Sequence, residues 1–276
     1  MTIIKSIHNL NIEVVKNLDK IRKYNIQCVV GIPRSGMIPA SLIATHLQLP
    51  LTDVYGIINN NLNDKSNTFR SFDLSKKFTI LLTDDSINTG KAMNEAVALI
   101  KKSLPNIEII RFAVWCSEKT KASDVDLYCD RLETPRAFQW NLWNHHASKN
   151  WASDLDGVIC RNPTKDENDK GVKLENFYKT ADPLFLYKKP IKYVVTARLE
   201  KYRSITEEWL AKHGIKYHQL IMKQNPKVNH WEYKLNFLLQ NPVDLYIESD
   251  MKQSKKIASG GNIPVWCVDN QTFYNR

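Results

Sequence analysis

The sequence predicts an α/β protein of two domains, residues 1–148 and 149–276, each a mostly parallel sheet with helices on both faces. Three observations lead there. Short apolar, β-branched runs alternate with runs of helical spacing, the pattern of strand–helix–strand units. The alternation breaks at the polar stretch "HHASKN" (145–150) and then starts again. With 276 residues, of which 43% are hydrophobic, the chain can bury a core in each half.

Taken in order, "IEVVKNLDKIRKY" (12–24) has helical spacing and "IQCVVGI" (26–32) is a buried strand. "MIPASLIATHLQL" (37–49) reads as a helix, and "FTILLTD" (78–84) is a strand ending in acid. "KAMNEAVALIKKSL" (91–104) is an amphipathic helix that stops before Pro105, and "IEIIRFAVWC" (107–116) is a third strand. In the second half "WASDLDG" ends a strand and "IKYVVTAR" (191–198) forms another. "YRSITEEWLAKHG" (202–214) is a helix closed by Gly214, and "HWEYKLNFLLQ" (230–240) is a helix leading into the strand "VDLYIESD" (243–250). A helix at 252–259 and the strand "IPVWCVD" (263–269) end the pattern. Sites in such sheets lie at the carboxyl ends of the strands.

Net charge is +10, divided evenly: 19 Lys+Arg against 14 Asp+Glu in residues 1–150, and 20 against 15 thereafter. A diffuse basic balance favours acidic substrates such as phosphates. No basic stripe interleaved with aromatics points to nucleic acid. The five cysteines form no C-x-x-C pair, which fits free thiols in a reducing cytosol. No apolar run reaches the roughly 18 residues of a membrane span, and the N-terminus carries no apolar signal region, so the expected location is the cytoplasm.

The segment "ILLTDDSINTGKAM" (80–93) carries the first chemistry. Two acids end a strand, a Thr-Gly loop follows, and a helix begins. Backbone N–H groups of residues 88–91 can cradle a phosphate at that helix start. Asp84 and Asp85 repel phosphate and suit the 2′ and 3′ hydroxyls of a ribose. A phosphate cradle beside hydroxyl-binding carboxylates describes a 5-phosphoribosyl site.

This segment resembles the type I phosphoribosyltransferases, which implies a Rossmann-like fold and phosphoribosyl pyrophosphate (PRPP) with Mg²⁺ as substrate and cofactor. The match covers Asp84, Asp85, Thr89 and Gly90, with Ser86, Asn88 and Lys91 completing the loop. It departs at Thr83, where the family prefers an apolar residue, and at Asn88, where a smaller residue or Asp is usual. In "GIPRSGM" (31–37), Arg34 with the backbone of Ser35 and Gly36 corresponds to the family's pyrophosphate loop. The stretch 59–73, with Lys65 and Arg70, resembles the loop that closes over PRPP. Phe138, Trp140 and Trp143 offer flat faces for an acceptor, or they pack between the domains.

The second constellation begins at "SDLDGV" (153–158). It resembles the first motif of the haloacid dehalogenase superfamily, which implies Asp154 as the nucleophile toward phosphorus and Asp156 as the acid/base. Thr196 in "YVVTAR" corresponds to the family's phosphoryl-binding hydroxyl. Glu248 and Asp250 in "YIESD" correspond to the acids that, with Asp154 and Asp156, hold Mg²⁺. A lysine is needed to neutralise the nucleophile. Of Lys223, Lys227 and Lys234, Lys234 is assigned because its helix enters the acidic strand. Little between Asp156 and Thr196 reads as an extra domain, so the fold is expected to have only a minimal cap.

The order of the two resemblances is similar to that of bacterial dual-domain ribofuranosyltransferases of polysaccharide synthesis. That implies transfer of 5-phosphoribose from PRPP to a glycan acceptor, then removal of the 5-phosphate. A nucleobase salvage enzyme and a PRPP-sensing regulator are the alternatives, action on nucleic acid ends is a weaker one, and a homodimer is left open.

Overall fold

The computed structural model describes residues 2–59 and 78–275. Lys65 and Arg70 of the expected closing loop lie outside the described residues. The chain divides into two compact units, Ile7–Arg136 and a second made of Met1–Ser6 with Ala137–Arg276. The division falls before the expected boundary at 148. A short strand β1 (Ile3–Lys5) pairs with β7 (Arg136–Phe138) in a two-stranded ribbon, and the polar stretch 145–150 packs within the second unit, with Ala147 and Ser148 buried.

The Ile7–Arg136 unit runs α1 (Ile7–Arg22), β2 (Cys28–Gly31), α2 (Met37–Leu47), β3 (Leu51–Asp53), α3 (Val54–Ile58), β4 (Thr79–Ile87), α4 (Lys91–Ser103), β5 (Glu108–Cys116) and β6 (Leu127–Arg131). The sheet order is β3-β2-β4-β5-β6, and every pair is parallel. Strands covered on both faces read as continuous apolar runs, as the fully buried "CVVG" of β2 does. Helix α1 buries Leu10, Val14, Leu18 and Ile21, one stripe at helical spacing. The chain order reverses between β2 and β4, where doubly wound sheets place their ligands.

The second unit contains β8 (Trp151–Ser153), α5 (Val172–Thr180), β9 (Ile191–Leu199), α6 (Arg203–Lys212), β10 (Tyr217–Lys223), α7 (His230–Gln240), β11 (Leu245–Glu248), α8 (Met251–Gly261), β12 (Val265–Cys267) and β13 (Thr272–Tyr274). The sheet order is β10-β9-β8-β11-β12-β13, parallel except for the final antiparallel pair. Here the reversal lies between β8 and β11, beside Asp154 and Glu248. Gly214 follows α6 at φ +68°, the left-handed conformation that ends a helix readily. Trp151, Trp209 and Trp266 fill the core.

Sequence patterning misses the short strands β1, β3, β6 and β13, and also β10 and α5. Strand β10 pairs on only one side and mixes exposed with buried positions, so no clean period shows. Helix α5 buries Leu174, Phe177 and Tyr178 in the unit's core, and it is the only helix between Asp156 and Thr196 among the described residues.

Candidate functional sites

In the first unit, β4 does not stop at its acids. It runs on to Ile87, because the nine-residue β5 offers partners as far as Cys116: Asp84 pairs with Ala113 and Ile87 with Cys116. Consecutive strand residues point to opposite faces, and the two carboxylates divide accordingly. Asp84 lines a cleft of about 320 Å³ together with Ser86, Asn88, Thr89, Gly90 and Lys91. Asp85 Oδ1 accepts from Ser35 Oγ at 3.0 Å and from the Ser86 amide at 2.9 Å, which ties β4 to the loop after β2. Burial and then the like charge of Asp85 push the Asp84 carboxyl well above its usual range.

Gly90 precedes α4 at φ +75°, and a Cβ there would stand 2.4 Å from the Asp124 carboxylate carbon. Glycine is therefore required on both conformational and steric grounds. The first N–H groups of α4 have no partner within the helix and border the cleft. Three residues that the sequence reading missed hold the loop in place. Ser117 Oγ donates to Asn88 Oδ1 at 2.9 Å, Thr120 Oγ1 donates to the Ile87 carbonyl at 3.0 Å, and Arg136 Nη2 donates to the same carbonyl at 2.8 Å. No local motif marks them, since Arg136 is 49 residues from Ile87.

The loop after β2 packs tightly against β4. A Cβ on Gly36 would meet the Ile32 carbonyl at 2.5 Å and the Thr83 carbonyl at 2.7 Å. Arg34 projects exposed from this loop. The expected acceptor aromatics Phe138, Trp140 and Trp143 belong to the second unit. Trp143 stacks on Phe185 with ring centroids 4.5 Å apart and meets Tyr187 edge-on at 5.2 Å. Phe138 stacks on Trp140 at 5.1 Å.

The second unit holds a cleft of about 670 Å³ at its sheet reversal, lined by Asp154, Asp156, Arg198, Lys223, His230, Lys234 and Asp250 among others. Lys234 Nζ donates to Asp154 Oδ2 and to Glu248 Oε2, both at 2.7 Å. All three side chains are almost wholly withdrawn from solvent. Burial raises the Asp154 carboxyl well above its ordinary range, against the pull of Lys234. For the lysine, burial works against the charge, but Asp154 and Glu248 outweigh it and hold the ammonium above its usual range. The Leu155 amide donates to Asp154 Oδ1 at 2.8 Å, and Tyr246 OH donates to Glu248 Oε2 at 3.1 Å.

Asp156 is held by a different cation. Arg198 Nη2 donates to its Oδ1 at 2.7 Å and Arg198 Nε to its Oδ2 at 3.0 Å. The Arg198 side chain is fully buried, with its guanidinium 4.1 Å from the Tyr178 ring centroid. Arg198 also escaped the sequence reading, although it stands two residues after Thr196 in one strand and so on the same face. Thr196 is buried, its Oγ1 accepts from the Arg198 amide at 3.1 Å, and the cleft lining passes to Ala197. Asp250 caps α8 through the Gln253 amide at 2.7 Å.

Among the described residues, no three His, Cys, Asp or Glu side chains stand together as a metal centre. The structure brings Asp154 and Glu248 together around Lys234, while Asp156 and Asp250 have partners of their own. By donor type the set is all oxygen and suits a hard cation such as Mg²⁺. No helix among the described residues is long and apolar enough to cross a membrane.

A purine phosphoribosyltransferase from Pyrococcus horikoshii Ot3 is 22% identical over 50% of this chain and 93% of its own, with a TM-score of 0.39. The xanthine-guanine-hypoxanthine phosphoribosyltransferase of Helicobacter pylori is 14% identical over 51% and 95%, at 0.40. The adenine phosphoribosyltransferase of Leishmania tarentolae is 13% identical over 46% and 71%, at 0.33. No curated protein matches the chain. The family model described as "Phosphoribosyl transferase domain" matches residues 1–148, which include the Arg34 loop and the whole Asp84–Lys91 segment. That match spans more than half of the 276 residues, and the chain belongs to the phosphoribosyl transferase domain family.

Proposed function

We propose that the protein transfers 5-phosphoribose from PRPP to a glycan acceptor in its first unit and removes the 5-phosphate in its second, leaving a ribofuranosyl product. Family membership supports the first step. The observation that carries the second is Lys234 buried between Asp154 and Glu248 at the reversal of a doubly wound sheet.

For the transfer, the α4 amides beside Asn88–Lys91 would receive the 5-phosphate and Asp84 a ribose hydroxyl. Arg34, with the Ser35 and Gly36 backbone, would offset the charge of the departing pyrophosphate as the C1–oxygen bond breaks. The acceptor oxygen then bonds to C1. Asp85 acts through Ser35 and holds the two loops in register.

For the hydrolysis, one Asp154 oxygen attacks phosphorus while the bond from phosphorus to the ribose O5 breaks. Asp156 supplies the proton that O5 takes up. Water then attacks the aspartyl phosphate, gives its proton to Asp156, and restores Asp154 as phosphate leaves. Lys234 stabilises the carboxylate before and after attack. Thr196 and the Ala197 edge of β9 would border the phosphoryl group. Asp154, Asp156, Glu248 and Asp250 are the residues that would hold Mg²⁺, which when bound would offset the negative charge on the phosphoryl oxygens. With α5, of nine residues, as the one helix between Asp156 and Thr196 among the described residues, the second site would admit a phosphate at the end of a larger acceptor.

The test supplies PRPP, Mg²⁺ and either glycan or nucleobase acceptors, and follows pyrophosphate and phosphate separately. Asp154→Asn is expected to release pyrophosphate with a glycan acceptor and leave a 5-phosphorylated product. Fully dephosphorylated product from Asp154→Asn would overturn the second step. Pyrophosphate release with nucleobases alone would replace the glycan by salvage.

A further inference from the structure

We propose that Lys223 and His230 form a subsite for a second anionic group, so that the phosphate ester admitted to the second unit carries a further phosphate or carboxylate. The proposal deepens the phosphatase reading and rests on it for the identity of the scissile group.

Lys223 ends β10, on the same carboxyl edge of the sheet as Asp154 and Glu248, and it lines the same cleft. It is only 2% exposed. Its Nζ donates to the Pro226 carbonyl at 3.3 Å, and among the described residues no carboxylate pairs with it. The acids of this cleft are otherwise committed. Asp154 is held by Lys234, Asp156 by Arg198, and Asp250 by the start of α8. Asp269 lies exposed at the rim. A lysine is rarely buried without a partner, because removing the ammonium from water costs several kcal/mol. Burial accordingly draws the Lys223 ammonium below its ordinary range.

His230 opens α7, lines the same cleft, and is exposed. Burial and then the positive charges of Lys223 and Lys234 hold its imidazole below the usual range. Two cationic or donor side chains therefore line one cleft, and among the described residues neither is in an ion pair with a carboxylate; Glu248 and Asp156 act on His230 only from a distance. Lys234 is already saturated by two carboxylates, so it cannot supply the attraction for a second anion. An incoming phosphate or carboxylate would complete both Lys223 and His230. The cleft, at about 670 Å³, is large enough for a bis-anionic sugar.

The test measures binding to the full-length Asp154→Asn protein, with and without Lys223→Gln. Ribose 1,5-bisphosphate against ribose 5-phosphate reads a second phosphate, and 3-phosphoglycerate against glycerol 3-phosphate reads a carboxylate. In at least one pair the doubly anionic ligand should bind more tightly, and Lys223→Gln should remove about tenfold of that affinity. The singly anionic partner should bind unchanged, which also reports that the variant is folded. If Lys223→Gln does not fold, His230→Gln should show a smaller loss of the same kind. Equal loss for both members of both pairs, or no loss in either, overturns the subsite. Phosphate release by the protein with Asp154 intact is followed separately. Lys223-dependent binding without any hydrolysis would sink the phosphatase reading and leave the anion subsite standing.

Discussion

Lys234 Nζ stands 2.7 Å from Asp154 Oδ2, a contact between residues 80 apart in the chain and both buried. The same ammonium reaches Glu248. Removing the cation would leave two carboxylates in the core facing each other without compensation. Lys234→Met is expected to cost roughly 3–5 kcal/mol, read as a lower urea midpoint. Adding Asp154→Asn and Glu248→Gln to the same chain should recover most of that loss. Recovery of stability without recovery of phosphate release would separate the structural role of the triad from its chemistry.

Arg198 and Asp156 make a second pair with a different consequence. The guanidinium is fully buried while the carboxylate is partly open to the cleft. Asp156→Asn should lower phosphate release by about 10²–10⁴-fold, the span of a lost acid/base. It should also lower stability by roughly 3 kcal/mol through the unpaired arginine. Adding Arg198→Met should restore the melting temperature but not the rate. A rate restored together with the melting temperature would argue against Asp156 as the proton carrier.

Asp84 predicts a pH effect confined to the first unit. Its folded carboxyl titrates above the unfolded value because burial and Asp85 disfavour the charge. The folded chain then binds the proton more tightly than the unfolded chain does. Stability from this group is full below about pH 4 and declines as pH rises from there toward the raised folded value. Asp84→Asn should flatten that decline in urea unfolding measured between pH 4 and 8, and stabilise the protein at neutral pH. The same variant should lower PRPP-dependent pyrophosphate release by about a hundredfold. An unchanged pH slope would show that Asp84 carries no such penalty.

Gly90 tests the loop. An alanine at φ +75° would be strained, and its Cβ would press on Asp124. Gly90→Ala should cost about 1–2 kcal/mol and lower pyrophosphate release more than tenfold. Hydrolysis of p-nitrophenyl phosphate by the second unit should be unaffected. Parallel loss of both activities would mean that the substitution unfolds the whole chain.

Much of the first site is legible from local sequence, because a phosphate loop is a contiguous device. A strand, a glycine in the left-handed region and a helix start must follow one another in the chain, and "TDDSINTGKAM" presents them in that order. The orientation of each acid was not legible. The sequence pairs Asp84 with Asp85, whereas the length of β5 keeps both in β4 and turns one to the cleft and the other to Ser35. The aromatics of 138–143 are ambiguous in the sequence because a flat ring suits an acceptor and a core equally well, and only the fold places Phe185 and Tyr187 against Trp143.

The sequence by itself determined the two α/β units and the carboxylates that stand at or near their strand ends, since periodicity and strand–loop–helix signals are local. The tertiary structure decided the pairings: Lys234 with Asp154 and Glu248, Arg198 with Asp156, Ser35 with Asp85, and Lys223 with no acid among the described residues. Those pairings join residues from 14 to 80 positions apart. Burial makes each of them consequential, because a charge taken out of water must find its partner wherever the fold brings one near.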